Sequence, residues 1–168
     1  IVTKEALEME LTNEGGYGGT TTLLKNIMGL WLIQETRRHY KKHGEEYSFA
    51  DLERMACEAE PFVSFIDPND PSFSAPENMP IKIQEFCRRT GQPVPETAGE
   101  VMRCIYQSLA CEFALTFRKI STLTGHAYNK IHMIGGGTKD KLLCRLTAEA
   151  AGVPAVAGPV EATALGNG

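Results

Sequence analysis

Residues 131 to 140, Ile-His-Met-Ile-Gly-Gly-Gly-Thr-Lys-Asp, constrain this chain more than any other stretch. A short apolar run ends at Ile134, three glycines follow, and a helical pattern resumes that Thr138 can cap. Glycines at a strand-to-helix turn let the backbone pass close to a ligand with no Cβ in the way. Free N–H groups at a helix start favour negative charge, so the geometry suits a nucleotide. The same pattern also serves as a plain tight turn, and the glycines alone do not separate the two. The turn is not a Walker A loop, because no Gly-Lys-Ser/Thr follows it. Nor is it G-x-G-x-x-G, which makes a dinucleotide-binding oxidoreductase a poor third reading.

Upstream, Leu7, Met9 and Leu11 alternate with Glu8 and Glu10, the period of a half-buried strand. A glycine-rich loop follows at residues 15–19. Residues 20 to about 43 read as one long helix with a wide apolar face at Leu23, Leu24, Ile27, Leu30 and Trp31. Its basic last turns and Gly44 suit a helix end rather than an anion patch. Ser48 with Asp51 resembles a capping box for a helix reaching about Ala59, and Thr97 with Glu100 is a better one. Five of the nine prolines fall between Pro61 and Pro80, which predicts irregular surface chain there. A short helix is expected over 81–89, closed by Gly91. The helix opened by Thr97 carries Val101, Ile105, Leu109, Phe113, Phe117 and Ile120 at helical spacing, which reads as core. The remainder reads strand (130–134), glycine loop, helix (138–151), strand (154–157), then a helix opened by Gly158-Pro159, with Glu161 in its first turn. Strands separated by helices imply an α/β layer with parallel pairing near the end of the chain.

Composition excludes more than it selects. A net charge of −4 gives no electrostatic footprint for nucleic acid, so no nucleic-acid partner is expected. No apolar run approaches membrane-spanning length, and no signal peptide is visible, so no membrane partner is expected either. Five cysteines without CxxC spacing make a zinc site a poor reading, and no metal-binding residue is assigned. Cys87 and Cys104 flank the Gly91–Pro95 turn on successive helices; a bridge is conceivable, and buried thiols are the better reading. His132, between Ile131 and Met133, reads as a strand residue on the second face rather than a ligand.

Asn26 and Gln34 interrupt the apolar face of the expected 20–43 helix. Eight residues apart, they would share that face about 12 Å from one another at the helical rise. A polar amide on a packed face costs free energy unless something satisfies it. A neighbouring loop's backbone and a bound ligand both remain open at this point. Lys139 and Lys141 are left unassigned, and Glu161 is read as holding its loop.

The wording of residues 131–140 and 158–167 resembles the C-terminal lobe of the FGGY carbohydrate kinases, the sugar-phosphorylating branch of the actin-like ATPases. Residues 12–19, 23–35 and 65–71, with Met79-Pro80 behind them, agree, so the resemblance runs nearly end to end. Within the family the wording looks most like that of the rhamnulokinases. The resemblance implies an α/β fold: an incomplete actin-like (ribonuclease H-like) C-terminal lobe, residues 1–168, with long helices packed on a small mixed sheet. It implies a lobe truncated at both ends with the N-terminal lobe absent, since the chain lacks an initiator Met and stops at Gly168. It implies ATP and Mg²⁺ as cofactors, a sugar substrate and a cytoplasmic enzyme. By the same resemblance Asn26 contacts the sugar, while Gln34 and the Gly135, Gly136 and Gly137 turn, centred on Gly136, contact ATP. The family's catalytic Asp lies in a motif that no residue here matches, so no catalytic residue is expected in this chain and the piece alone is expected to be inactive. Two rivals stand beside this reading: an FGGY kinase for another sugar such as L-fuculose, and a non-catalytic actin-like nucleotide-binding module.

Overall fold

The computed structural model describes residues 4–15, 19–134 and 140–158. In chain order the elements are α1 (Lys4–Glu8), β1 (Thr12–Gly15), β2 (Thr21–Leu24), α2 (Gly29–Lys42), α3 (Phe49–Glu58), α4 (Met79–Arg89), α5 (Ala98–Thr124), β3 (Ile131–Met133), α6 (Lys141–Ala151) and β4 (Ala155–Ala157). A single 3-10 turn, Pro71–Phe73, interrupts the proline-rich segment. Strand pairing of both senses occurs. β1 and β2 form an antiparallel hairpin with Thr12 opposite Leu24, and β3 runs parallel to β4 with Ile131 opposite Ala155.

The centre of the fold is α5. All ten residues from Val101 to Ala110 are buried, because α2, α3, α4 and α6 cover the helix from different sides. Thr97 and Glu100 form the capping box read from the sequence: Glu100 N–H donates to Thr97 Oγ1, and Thr97 N–H to Glu100. The polar members of the buried stretch have work. Gln107 accepts from Phe62 N–H and donates to the Ser64 carbonyl, and Ser108 Oγ accepts from Ile66 N–H at 2.9 Å. These bonds satisfy the backbone of a segment too rich in proline to pair with itself. α3 carries the expected capping box at Ser48 and Asp51. Cys87 and Cys104 are buried as free thiols, hydrogen-bonded to one another.

Two expected elements are corrected. The strand over 7–11 is the end of α1. Leu11 N–H donates to the Ala6 carbonyl and Glu10 N–H to that of Leu7, around a left-handed Glu10 (φ 58°). That is a Schellman closure, and it buries Ala6 and Leu11 together while Leu7 is left 77% exposed. Period-two alternation over five residues was outweighed by this local hydrogen bonding.

The helix expected from residue 20 begins only at Gly29. The β-branched Thr20–Thr22 run favours extended chain, and residues 21–24 pair with β1, as the Thr12 Oγ1 bond to the Leu24 carbonyl reinforces. Residues 25–28 then turn into α2, with Gly29 N–H on the Ile27 carbonyl at 2.7 Å. Asn26 therefore lies outside α2 and does not share a helical face with Gln34.

Candidate functional site

Gln34 and Asn26 stand at two different cavities on either side of the first turns of α2. Gln34 is exposed and lines a cavity of about 450 Å³ with Leu30, Ile33, Phe49, Ala50, Glu53 and Asp140. Asn26, also exposed, lines a wider one of about 590 Å³ walled by Phe113, Phe117 and Ile120 of α5 and by Ile131, Met133 and Ile134. Leu30 belongs to both walls. Gly135, Gly136 and Gly137 lie outside the described residues, as do Thr138, Lys139 and Glu161. The residues flanking the glycines do not: Ile134 opens on the Asn26 cavity and Asp140 on the Gln34 cavity. Gly136 is four residues from Asp140, hence no more than about 14 Å away even with the chain extended. The residues on either side of the glycine run thus line two different cavities.

The two informative stretches of sequence meet at their described ends. Gly158 N–H donates to the Met133 carbonyl at 2.7 Å, and a Cβ at residue 158 would stand 2.9 Å from Ile134 Cγ2. A side chain at residue 158 would force Ile134 to shift where the chain leaves β4. That close approach explains Gly158 without reference to any ligand.

Asp140 caps α6: its carboxylate accepts from Leu143 N–H, and its other oxygen accepts from Tyr106 Oη–H at 2.6 Å. Glu53, reaching from α3, accepts from Leu142 N–H at 2.7 Å. Two first-turn amides of α6 are therefore already occupied by carboxylate oxygens. The expectation that this helix start holds free N–H groups for a phosphate does not survive at Leu142 and Leu143. Burial raises the Asp140 carboxyl above the ordinary aspartate range, against the hydrogen bonds of Tyr106 and Leu143, and the charge of Glu53 adds to the rise. Burial and the Asp140 bond likewise push the Tyr106 phenol up.

Beside Asn26, Lys25 is 95% buried at its side chain, where its Nζ reaches Glu10 at 2.9 Å and Glu112 at 3.0 Å. Burial alone would pull its ammonium down; the hydrogen bonds and charges of the two glutamates outweigh that and raise it. The same Glu112 oxygen accepts from Asn69 Nδ2, so Lys25 ties the segment holding Asn26 to α5 and to the loop containing Asp67 and Asp70. Asp67 and Asp70 are turn formers, as read: they accept from Asn69 and Ser72 N–H two residues on. The basic end of α2 is spent on structure too, with Arg37 on the Tyr47 carbonyl and Lys42 on Glu77.

Reading the sequence missed Glu53, Asp140, Tyr106 and Lys25. Asp140 carried a usable signal, a capping residue type directly before Lys141-Leu142-Leu143. Glu53 carried none, since its partner is 89 residues away. Among the described residues, no three His, Cys, Asp or Glu side chains gather into a possible metal site, and no helix is long and apolar enough to cross a membrane.

Comparison with known proteins finds one matching family model, the FGGY family of carbohydrate kinases, C-terminal domain, over residues 2–167. Similar proteins include the rhamnulokinases of Bacteroides thetaiotaomicron, 43% identical over 167 residues, and of Bacillus subtilis, 44% identical over 167. Each alignment covers 99% of this chain and 34% of the relative. The rhamnulokinase of Enterococcus faecalis is 45% identical over 168 residues, with 99% and 33% covered. The chain spans about a third of the length of the curated relatives it matches.

Proposed function

We infer from one premise, that this chain belongs to the FGGY family of carbohydrate kinases as its C-terminal domain, that the whole protein is an ATP-dependent sugar kinase. The reaction is transfer of the γ-phosphoryl group to the 1-hydroxyl of L-rhamnulose, in the cytoplasm. The similarity to rhamnulokinases over nearly all of this chain supports that choice of sugar. Residues 1–168 serve as the nucleotide-binding lobe. In this reading Gln34 and the Gly135–Gly137 segment hold ATP, and Asn26 orients the ketose.

The observation that carries the reading is that Asp140 and Ile134, the described residues on either side of the glycine run, line two different cavities, one beside Gln34 and one beside Asn26. A kinase must bring a nucleotide and an acceptor alcohol to the two ends of one phosphoryl path, and catalysis is then mostly positioning and electrostatics. Leu30, shared by both walls, sets the two cavities back to back. The base that takes the hydroxyl proton is assigned to no residue of this chain.

Mg²⁺ accompanies ATP in such chemistry, held mainly by phosphates and one or two carboxylates. When bound it would neutralise charge on the transferring group. The described residues build no cage for it, and no step is routed through it here.

The test is an assay of the full-length protein with ATP and a ketose panel. Turnover of L-rhamnulose is expected; turnover of glycerol or xylulose with none of L-rhamnulose overturns the assignment, and turnover of L-fuculose alone overturns the sugar while keeping the kinase. Gly136→Val should raise the KM for ATP, and Asn26→Ala that for the sugar; the reverse pattern would mean the two cavities have been exchanged.

A further inference from the structure

The cavity beside Gln34 carries a charge pattern that selects which end of a nucleotide enters it. Leu30, Ile33, Phe49 and Ala50 make its walls apolar, and Glu53 and Asp140 give it two carboxylates; among the described residues no Lys or Arg lines it. A triphosphate meeting those carboxylates would be repelled, whereas a flat heterocycle with N–H donors on its edge matches both walls and floor. Phe49 is 49% exposed at the start of α3; the Arg37 guanidinium lies over its ring, 4.6 Å from the centroid, and the ring borders the cavity.

The two carboxylates are not equivalent. Both oxygens of Asp140 are engaged, one with Tyr106 and the other with Leu143 N–H. The described contact of Glu53 uses Oε1 alone, on Leu142 N–H, which leaves Oε2 as the acceptor. We propose that this cavity takes the purine of the nucleotide with its 6-amino group toward Glu53, and that Glu53 sets the preference for adenine over a 6-oxo purine. An ionised carboxylate only accepts hydrogen bonds, so it pairs with an amino group and faces a 6-oxo group lone pair to lone pair. The phosphates then point away from Glu53 and Asp140. The proposal rests on the reading that Gln34 faces the nucleotide, and goes beyond it by naming the residue that reads the base.

The test uses the full-length protein and its ketose, with ATP, ITP and 2′-deoxy-ATP as phosphoryl donors. Glu53→Gln keeps an oxygen for Leu142 N–H and gains an amide that can donate to a 6-oxo group. The ratio of kcat/KM for ATP to that for ITP should fall about 10-fold, the weight of one charge-assisted hydrogen bond. The ratio for ATP to 2′-deoxy-ATP should stay where it is. An unchanged ATP to ITP ratio overturns the proposal, and so does a change confined to 2′-deoxy-ATP, which would put Glu53 on the ribose. Gln34→Ala is measured alongside. If it raises the KM for ATP while Glu53→Gln leaves base preference untouched, only this proposal fails; if neither moves any nucleotide parameter, the placement of the nucleotide fails with it. Should Glu53→Gln lower the melting temperature sharply, Ala50→Phe fills the same cavity from its wall. It should raise the KM for ATP, and an effect on the ketose alone overturns the proposal.

Discussion

Tyr106 and Asp140 join the middle of α5 to the residue where the chain re-enters helix after its glycine segment. The phenol is fully buried and donates at 2.6 Å to a carboxylate that also caps α6. One bond thus ties the start of α6 to the core helix. Tyr106→Phe removes the donor and leaves a half-buried carboxylate oxygen without it. A loss of about 2 kcal/mol is expected, the range for a hydrogen bond to a charged group. Denaturant unfolding of the full-length protein measures it. In the proposed kinase the KM for ATP should rise as well, since Asp140 borders the Gln34 cavity; stability falling with no change in nucleotide binding would separate the bond from the site.

Asp140 also sets a pH dependence whose sign is fixed by its environment. Burial raises its folded-state value above the ordinary 3.8, with Glu53 adding to the rise and the hydrogen bonds opposing it. The folded protein therefore binds this proton more tightly than the unfolded chain does. Stability from this group is fully present below the ordinary value and is lost as pH rises through the raised one. Asp140→Asn retains one oxygen for the cap, presents an N–H donor to Tyr106 Oη in place of an acceptor, and cannot ionise. The difference in stability between variant and wild type should move in favour of the variant as pH climbs from 3.8 through that window, then level off. A difference independent of pH across the acid range would contradict the raised value.

The sequence made the helices legible wherever periodicity and capping agreed. Ser48 with Asp51 and Thr97 with Glu100 start helices where expected, and Gly44, Gly91, Gly125 and Gly152 follow helix ends. It misled where local patterns were short. Leu7–Leu11 satisfied a two-residue period, yet Glu10 closes a helix. Leu23, Leu24 and Ile27 satisfied a helical period, yet the threonines before them pair with β1. Neither competing hydrogen-bond pattern can be read from hydrophobic spacing. The candidate site shows the same division. Gln34 and Asn26 were visible as polar residues in apolar surroundings, whereas Glu53 and Lys25 depend on partners 89 and 87 residues away, a separation that spacing cannot reveal.

At Gly99 α5 packs tightly against α3. A Cβ there would lie 2.7 Å from the Met55 carbonyl oxygen, a backbone atom that also accepts from Ala59 N–H and cannot swing aside. Alanine usually gains up to about 1 kcal/mol over glycine in a helix interior, and less in the first turn. Here the clash outweighs that gain. Gly99→Ala should lower stability by about 1 to 3 kcal/mol, the usual cost of overpacking. Thermal unfolding checks it; a higher melting temperature would mean that α3 yields and the approach is not fixed.

Lys25 gives the sharpest separation between holding the fold and serving a site. Its ammonium is nearly enclosed, with Glu112 87% buried at its side chain on one side and Glu10, 72% exposed, on the other. Removing a buried cation leaves Glu112 charged in a poorly solvated place, and such losses usually run to about 3 to 5 kcal/mol. Glu10 stays in contact with water and Asn69 still donates to Glu112, so about 2 to 3 kcal/mol is expected for Lys25→Met. Adding Glu112→Gln should recover part of it, because the stranded charge is then gone; a strictly additive double variant would show that the two side chains do not interact. The functional consequence follows from chain connectivity. Lys25 immediately precedes Asn26 and lines the same cavity, so its loss frees the segment that presents the amide. In the full-length protein Lys25→Met should raise the KM for the ketose several-fold more than that for ATP, with Lys25→Arg restoring most of the difference by renewing the ion pairs. Equal effects on both substrates would assign Lys25 to the fold alone.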